Sequence, residues 1–218
     1  MVSVIISTLN EEENIGKVID SLKKTTPLNS QIIVVDSGSQ DRTAKIAKEK
    51  DVEVYQLNMR GKGRAMRLGV EKAKWKILVF IDGDGSYSCH NINDLINPIL
   101  EGGADMIYGS RFSPGSKREM SLVRYLGNKL FSFLGSLLCG KRTDFLTGFF
   151  TIKKNKFLEL DLKSQEFEIE TEIFVKAVRR NLKIGEVPIE YVKSGKSKLN
   201  PLKDGFKILK ILLKNRVC

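Results

Sequence analysis

Histidine and cysteine are scarce in this sequence. The single histidine, His90, excludes a histidine-rich metal site and has no second histidine as a partner, so we expect an ordinary loop residue. The three cysteines, Cys89, Cys139 and Cys218, are odd in number and lack the spacing of metal ligands. These features predict a reduced, cytosolic protein.

Long apolar runs are missing as well, and aromatic residues are few. No uncharged run reaches the length of about 18 residues that a membrane span needs, so none is expected. Strand-like sequence from Val2 onward leaves no room for a signal peptide. Aromatic residues make up 8% of the chain and fall mostly in apolar runs. RNA-binding surfaces interleave them with Lys and Arg, so no nucleic-acid partner is predicted.

Positive charge is what the chain has in excess. Lys and Arg number 37 against 26 Asp and Glu, which gives a formal net charge of +11. Such an excess indicates an anionic partner, either nucleotide phosphates or a membrane surface, although solubility alone could also explain it. The hydrophobic content of 41% is enough for one sizeable core.

The first half of the chain alternates strand and helix patterns. Strands are predicted at 2–7, 31–36, 52–57, 77–82 and 105–108, and helices at 12–24, 41–50, 64–74 and 92–100. This alternation predicts an α/β fold, a mostly parallel, Rossmann-like sheet with helices on both faces. Ligands of such sheets bind at the carboxyl ends of the strands.

The second half predicts an apolar helix at 121–138, strands at 147–152 and 183–191 around a helix at 168–180, and a basic loop at 193–200. A last helix begins at Pro201, where four lysines share one face at Lys203, Lys207, Lys210 and Lys214. A basic amphipathic helix of this kind fits an anionic membrane surface or docks on its own domain. We therefore divide the chain into a domain at 1–200, with halves 1–110 and 111–200, and a helix at 201–218.

Acidic residues stand at the ends of two predicted strands. Asp82-Gly83-Asp84 follows the buried run 77–81, and Asp36 ends the run 31–36. Paired carboxylates at an exposed strand end suit Mg²⁺ or Mn²⁺, which bridge protein oxygens to substrate phosphates. Solvated turn acids are the alternative. Asp36 belongs to the same sheet edge and can accept hydrogen bonds from a ligand.

Two further segments suggest anion binding. Gly61-Lys62-Gly63 precedes a helix, where close backbone approach and the helix N-terminus favour an anion, but it matches neither the dinucleotide fingerprint nor a P-loop. Arg111 follows a strand and could grip phosphate with two parallel hydrogen bonds. Arg124 is a second cation for the same anion.

Six motifs appear in an order that characterises one known family. In chain order they are Ser7-Thr8-Leu9-Asn10-Glu11, Val35-Asp36-Ser37-Gly38-Ser39, Gly61-Lys62-Gly63-Arg64-Ala65, Asp82-Gly83-Asp84, Gly109-Ser110-Arg111 and Gly195-Lys196-Ser197-Lys198-Leu199. Together they resemble the family 2 glycosyltransferases, closest to the dolichol-phosphate mannose synthase type, over nearly the whole chain.

The resemblance implies a GT-A fold and an inverting glycosyltransferase that uses Mg²⁺ or Mn²⁺. The donor would be a UDP- or GDP-sugar, and the acceptor a polyprenyl (dolichyl) phosphate. The enzyme would act peripherally at the cytoplasmic face of a membrane, where a membrane-anchoring subunit is a further conceivable partner. Ser37 replaces a second aspartate of the family, which slightly favours UDP.

The resemblance also assigns roles to single residues. Donor nucleotide binding falls on Ser7, Leu9, Asn10, Glu11, Asp36, Gly61, Lys62, Asp82 and Gly83. Metal binding falls on Asp82 and Asp84. Asp84 would be the more direct ligand, and as the residue that holds the metal it is assigned a catalytic role. Acceptor phosphate or donor diphosphate binding falls on Arg111, Arg124, Lys193, Ser197 and Lys198. Ser86 stands where relatives often carry a metal-contacting glutamine.

The acceptor leaves alternatives open. A phosphate monoester is mostly a dianion at neutral pH, so it needs positioning rather than a general base. A hydroxyl acceptor on a glycan or glycolipid would need a base, for which Asp144 is the candidate, although Asp144 could be structural. Glu172 is expected to brace the acceptor side, and Glu168 and Glu170 to be solvated helix acids. A basic lipid- or nucleic-acid-binding module is the alternative from another class.

Overall fold

The protein is an α/β structure, described here from a computed structural model for residues 1–192 and 201–214, without the side chains of residues 124 and 201–203. The strands are β1 (Ser3–Thr8), β2 (Gln31–Asp36), β3 (Glu53–Gln56), β4 (Ile77–Asp82), β5 (Met106–Ser110), β6 (Lys117–Arg118), β7 (Phe150–Lys153), β8 (Ile184–Pro188) and β9 (Glu190–Tyr191). The helices are α1 (Ile15–Thr25), α2 (Thr43–Lys48), α3 (Lys62–Lys72), α4 (Ile92–Leu100), α5 (Leu122–Cys139), α6 (Lys154–Glu159), α7 (Ile169–Arg179) and α8 (Pro201–Lys214).

Seven strands form one sheet in the order β3-β2-β1-β4-β7-β5-β8, and β6 pairs with β9 in a second, two-stranded sheet. The predicted mostly parallel sheet is confirmed, but β7 runs antiparallel to both of its neighbours. In the central register Thr8 lies opposite Asp36, and Ser7 lies opposite Asp82. The carboxyl ends of three strands therefore meet at one edge of the sheet.

Two hydrophobic cores cover the two faces of the sheet, because side chains alternate along each strand. On one face Ile5, Val35 and Phe80 pack under helices α3 and α7. On the other face Ile6 and Val34 pack under helices α1 and α4. Helices on both faces were predicted, and this layering fixes the strand ends rigidly.

In the second half, two predicted strands differ from the structure, and one helix of the structure was not predicted. The strand predicted at 147–152 begins only at Phe150, and the strand predicted at 183–191 is divided into β8 and β9. Helix α6, at Lys154–Glu159, follows β7 directly and was not predicted. In the preceding segment 147–149, Gly148 packs against the carboxylate of Asp82, and the Phe149 carbonyl accepts a hydrogen bond from the Gly109 amide at 2.9 Å.

Helix α8 docks on the domain, which favours one of the two roles that its pattern allowed. Ile208 and Leu212 are buried in the core shared with α7. Lys207 forms an ion pair with Glu166, so one of the four predicted surface lysines is used internally. Phe206 and Leu213 remain exposed. No helix in the described part of the chain combines the length and apolarity of a membrane span.

Candidate active site

The carboxyl ends of β1, β2 and β4 bring predicted donor residues together. Ser7 Oγ donates a hydrogen bond to Asp82 Oδ1 at 3.2 Å, and the Gly83 amide donates to the Ser7 carbonyl at 3.0 Å. Asp36 lies on the opposite side of β1 and is fully buried. The strand ends thus place one acid on each side of the central strand β1, Asp36 on β2 and Asp82 on β4.

Asp36 anchors the loops after β1 and β2. It accepts hydrogen bonds from the Ser39 amide at 3.2 Å and from the Ser39 hydroxyl. The Asn10 amide donates to Ser39 Oγ at 2.8 Å, and Asn10 adopts the left-handed region at φ 50°. Asn10 Oδ1 in turn accepts from the Gln40 amide at 2.8 Å. These bonds preorganise the loops on which Leu9 and Glu11 also lie.

Glu11 lies in the turn that precedes helix α1. Its amide donates to Thr43 Oγ1 at 2.7 Å, which joins this loop to the first residue of α2. Its carboxylate accepts from Asn14 Nδ2 at 3.0 Å. Glu11 and Asp36 are therefore tied into one pair of loops at one end of the sheet edge.

A buried triad of charges surrounds Asp82. Lys62 Nζ lies 2.6 Å from Asp82 Oδ1 and 2.6 Å from Glu170 Oε1. Burial disfavours the ammonium, but the charges of Asp82 and Glu170 outweigh burial and raise the pKa of Lys62 well above its ordinary value. Lys62 was predicted to bind the donor nucleotide. In this structure its ammonium group forms ion pairs with the carboxylates of Asp82 and Glu170 instead.

The sequence interpretation missed Glu170. It was expected to be a solvated helix acid, yet only 7% of it is exposed. Burial raises its pKa, against the opposing effect of the Lys62 charge. A signal was present: Glu170 shares a helix face with the apolar residues Phe174 and Ala177, three to four positions apart, and both are buried.

Asp84 is the acid of the motif that best suits a divalent metal. Its Oδ1 accepts hydrogen bonds from the Ser86 amide at 2.9 Å and hydroxyl at 2.6 Å. Burial raises the pKa of Asp84, the Asp82 charge raises it further, and the Ser86 hydrogen bonds lower it. A divalent cation would relieve the crowding of like charges, so this hard-oxygen donor set fits Mg²⁺ or Mn²⁺.

A metal at Asp84 would need ligands from elsewhere. Within the described residues no group of three His, Cys, Asp or Glu side chains could hold an ion alone. Mg²⁺ is commonly bound by one or two carboxylates together with substrate phosphates. The geometry is therefore that of a site completed by a bound diphosphate.

The glycine-rich segment at the start of α3 packs on another part of the chain. A Cβ at Gly63 would lie 2.4 Å from the Ser164 carbonyl oxygen, so this glycine allows contact with segment 164–165. The Arg64 amide donates to the Gln165 carbonyl at 3.3 Å, which satisfies one N–H at the start of the helix. This close approach was expected to serve a bound anion, and here it is made by the chain.

Glu172 holds that contacting segment in place. Its carboxylate accepts hydrogen bonds from the amides of Lys163 and Ser164 and pairs with Lys176 at 2.7 Å. Burial opposes the effect, but these hydrogen bonds lower the pKa of Glu172. Glu172 was expected to brace the acceptor side, whereas here it holds the segment that packs on the start of α3, which was assigned to the donor.

Arg111 and Asp144 form a buried bidentate ion pair. Arg111 Nε and Nη2 donate to the two Asp144 oxygens at 2.9 and 2.7 Å, and Nη2 also donates to the Leu146 carbonyl at 2.6 Å. The Arg111 amide donates to Asp144 as well. Burial disfavours the guanidinium, but Asp144 outweighs it and raises the pKa of Arg111. Both residues had been assigned to the acceptor side, and each is committed to the other.

The remaining acceptor-side predictions cannot be placed. Lys193, Ser197 and Lys198 lie outside the described residues, and Arg124 is described only as a backbone position of α5. His90 is an exposed residue of the 3₁₀ turn Cys89–Asn91, as expected of a loop histidine.

Known proteins similar to this chain indicate its family. Residues 3–160 match the family model described as glycosyl transferase family 2. The UDP-N-acetylglucosamine–dolichyl-phosphate N-acetylglucosaminyltransferase of Methanococcus voltae is 32% identical over 240 residues, covering 98% of this chain and 95% of that protein. The dolichyl-phosphate hexose transferase of Haloferax volcanii is 28% identical over 214 residues, covering 97% and 92%.

A solved structure shares the fold. Glucosyl-3-phosphoglycerate synthase from Mycobacterium tuberculosis, in complex with Mn²⁺, UDP and glucosyl-3-phosphoglycerate, superposes with a TM-score of 0.76 at 22% identity. The match covers 99% of this chain and 80% of that one. The fold is the GT-A fold that the motifs implied. With a family model matched over most of its length, the chain belongs to glycosyl transferase family 2.

Proposed function

We propose that this glycosyltransferase moves a sugar from a nucleoside diphosphate sugar to a polyprenyl phosphate, with inversion, at a membrane surface. The observation that carries the proposal is a set of acids at adjoining strand ends, the buried Asp36 and the half-buried Asp82 and Asp84. Two relatives named for transfer to dolichyl phosphate support the acceptor class. UDP is the favoured nucleotide, because Ser37 replaces an acid of the family pattern and one relative's name includes a UDP-sugar.

Different residues of the chain would bind the nucleoside and the metal ion of the donor. Asp36 and Glu11, on loops locked by hydrogen bonds, offer fixed acceptors for the nucleoside. Asp84 would hold Mg²⁺ or Mn²⁺ against the diphosphate, supported by Asp82. When bound, the ion would offset the charge that develops on the departing nucleoside diphosphate.

The state of Asp144 supports a phosphate acceptor over a hydroxyl acceptor. A phosphate dianion brings its own nucleophilic oxygen and requires only orientation. A hydroxyl would require Asp144 to take its proton as a base, yet both Asp144 oxygens accept hydrogen bonds from Arg111. Asp144 and Arg111 are better suited to a structural role on the acceptor side, where their ion pair stabilises the fold.

A stripe of exposed apolar side chains on α5 supports action at a membrane. The stripe consists of Leu122, Leu126, Leu130, Phe133 and Leu137, each 56–69% exposed. The spacing of three and four residues places them along one side of a helix about 27 Å long. On α8, which contacts α5, Phe206 and Leu213 are exposed as well. We place the stripe against the cytoplasmic face of the membrane, where an anchoring subunit could also attach.

The test is a donor screen. The protein is incubated with GDP-mannose, UDP-glucose or UDP-N-acetylglucosamine, together with a short polyprenyl phosphate and Mn²⁺ or Mg²⁺, and release of the nucleoside diphosphate is measured. We expect lipid-dependent release from one donor, abolished by EDTA and reduced at least about 100-fold in Asp84→Asn, equivalent to about 2.7 kcal/mol. Glu101→Gln, at an exposed acid, is the matched control.

Other results would redirect the proposal. Release that needs a sugar hydroxyl instead of a phosphate would favour the hydroxyl acceptor. Lipid binding without release from any donor, and insensitive to metal, would favour a binding module. Full activity in Asp84→Asn would contradict the role given to that acid.

A further inference from the structure

Glu170 is a buried acid next to the donor side of the site. It lies in the first turn of α7, and its Oε1 accepts a hydrogen bond from Lys62 Nζ at 2.6 Å. Lys62 Nζ lies at the same distance, 2.6 Å, from Asp82 Oδ1. One ammonium group at the start of α3 is thus shared between two carboxylates, one at the end of β4 and one from the second half of the chain.

The three side chains of this triad are not equally accessible. The Asp82 side chain is 24% exposed, whereas those of Lys62 and Glu170 are each 9% exposed. The Phe167 ring centroid lies 5.8 Å from Lys62 Nζ, which adds an apolar wall beside the ammonium group. A ligand at the strand ends would therefore meet Asp82, and Glu170 would act on that ligand indirectly, through the shared ammonium group.

The charge of the triad depends on Glu170. Lys62 and Asp82 alone would form a neutral ion pair, in which the whole ammonium charge faces one carboxylate. With Glu170 present, two negative charges share one positive charge, so a net negative charge remains. The excess acts on the neighbouring acid of the motif, because the charge of Asp82 raises the pKa of Asp84. Fixed charges in a site of low dielectric interact strongly, so this excess attracts a divalent cation.

We propose that Glu170 is a positioning residue that sets the metal requirement of the donor site, because it shares the ammonium group of Lys62 with Asp82. This inference rests on the proposed function, and it gives an acid of α7 a role without contact to metal or donor. Without the charge of Glu170, Lys62 would neutralise Asp82, and Asp84 would hold a cation with less support. The same excess of negative charge repels a nucleoside diphosphate that arrives without a cation.

The proposal predicts changes of opposite sign in two binding constants. Glu170→Gln removes the charge and keeps the shape, and its amide oxygen can still accept a hydrogen bond from Lys62. UDP and GDP are titrated by calorimetry into the full-length protein without acceptor, once in EDTA and once in Mn²⁺. The ratio of Kd in EDTA to Kd in Mn²⁺ measures how strongly the metal promotes nucleotide binding, and we call this ratio the metal effect.

We expect Glu170→Gln to bind the nucleotide more tightly in EDTA and more weakly in Mn²⁺, so that the metal effect falls at least about tenfold. Glu170→Asp keeps the charge on a shorter side chain and should retain most of the metal effect. A role in shape alone predicts the reverse order, with Asp more harmful than Gln. Glu172→Gln is the matched control, since Glu172 is an equally buried acid of α7 that pairs with Lys176, and its metal effect should match that of the wild type.

Equal weakening of nucleotide binding in EDTA and in Mn²⁺ overturns the proposal, with folding of each variant verified by its melting temperature. A folded Glu170→Asp protein without the metal effect also overturns it, and this variant decides alone if Glu170→Gln does not fold. Binding of Mn²⁺ without nucleotide, followed by electron paramagnetic resonance, separates this inference from the proposed function. Weaker Mn²⁺ binding in Glu170→Gln, with no nucleotide bound even by the wild type, would count against the proposed donor and leave the role of Glu170 standing.

Discussion

Gly148→Ala is the substitution whose effect follows most directly from the structure. A Cβ at this position would lie 2.1 Å from Asp82 Oδ2 and 2.8 Å from Oδ1, whereas real Cβ contacts essentially never fall under 3.0 Å. The carboxylate must therefore move by nearly 1 Å, about the difference between 3.0 and 2.1 Å. The Asp82 carboxylate cannot move away freely, because two groups hold its Oδ1. Lys62 Nζ lies 2.6 Å from this oxygen, and Ser7 Oγ donates a hydrogen bond to it at 3.2 Å.

The magnitude follows from what a small displacement costs. A misplacement of about 1 Å in a catalytic arrangement can lower the rate by about 10²-fold. We expect kcat for nucleoside diphosphate release to fall by about that factor, measured with saturating donor, acceptor and metal. Gly103→Ala is the matched control, since its Cβ would meet only the Pro98 carbonyl, at 3.4 Å. Wild-type kcat in a folded Gly148→Ala protein would refute the placement of Asp82 in the donor site.

Three further predictions concern stability and membrane contact. Asp144→Asn leaves the buried guanidinium of Arg111 without its counter-charge, so chemical denaturation should show a loss of about 3–5 kcal/mol. The depressed pKa of Glu172 adds stability that is complete above about pH 4.5 and lost as the pH falls through the lower folded value. Glu172→Gln should therefore be less stable than the wild type in urea at pH 6, with the gap closing toward pH 3; a gap independent of pH would contradict this. Phe133→Gln should reduce flotation with anionic vesicles, whereas Leu28→Gln, at a still more exposed site off the stripe, should not.

The sheet and its functional edge could be predicted because their signals are local. Apolar runs of about six residues, each ending in polar residues, mark buried strands without knowledge of their neighbours. Parallel strands joined by helices then put Asp36 and Asp82 at one edge, as the register through β1 shows. The direction of β7 has no such local signal, because an apolar run reads the same in a parallel and an antiparallel ladder.

The partners within the site could not be predicted, because they are distant in sequence. Lys62 and Glu170 are separated by 108 positions, and Arg111 and Asp144 by 33. An arginine at a strand end has the same local sequence whether it faces a ligand or a buried acid. Burial of the side chain decides which of the two the arginine faces. An unpaired buried charge is costly, so a buried arginine requires an acidic partner inside the fold.

The charges at the two ends of the site explain why donor and acceptor need different recognition. On the donor side the acids Asp82, Asp84 and Glu170 outnumber the single ammonium of Lys62. Under the proposed function, a diphosphate entering there would meet net negative charge, which a divalent cation would offset. On the acceptor side the pair of Arg111 and Asp144 is neutral and closed to a ligand. Under the proposed function, a phosphate acceptor would therefore meet a neutral ion pair at this position rather than a free guanidinium.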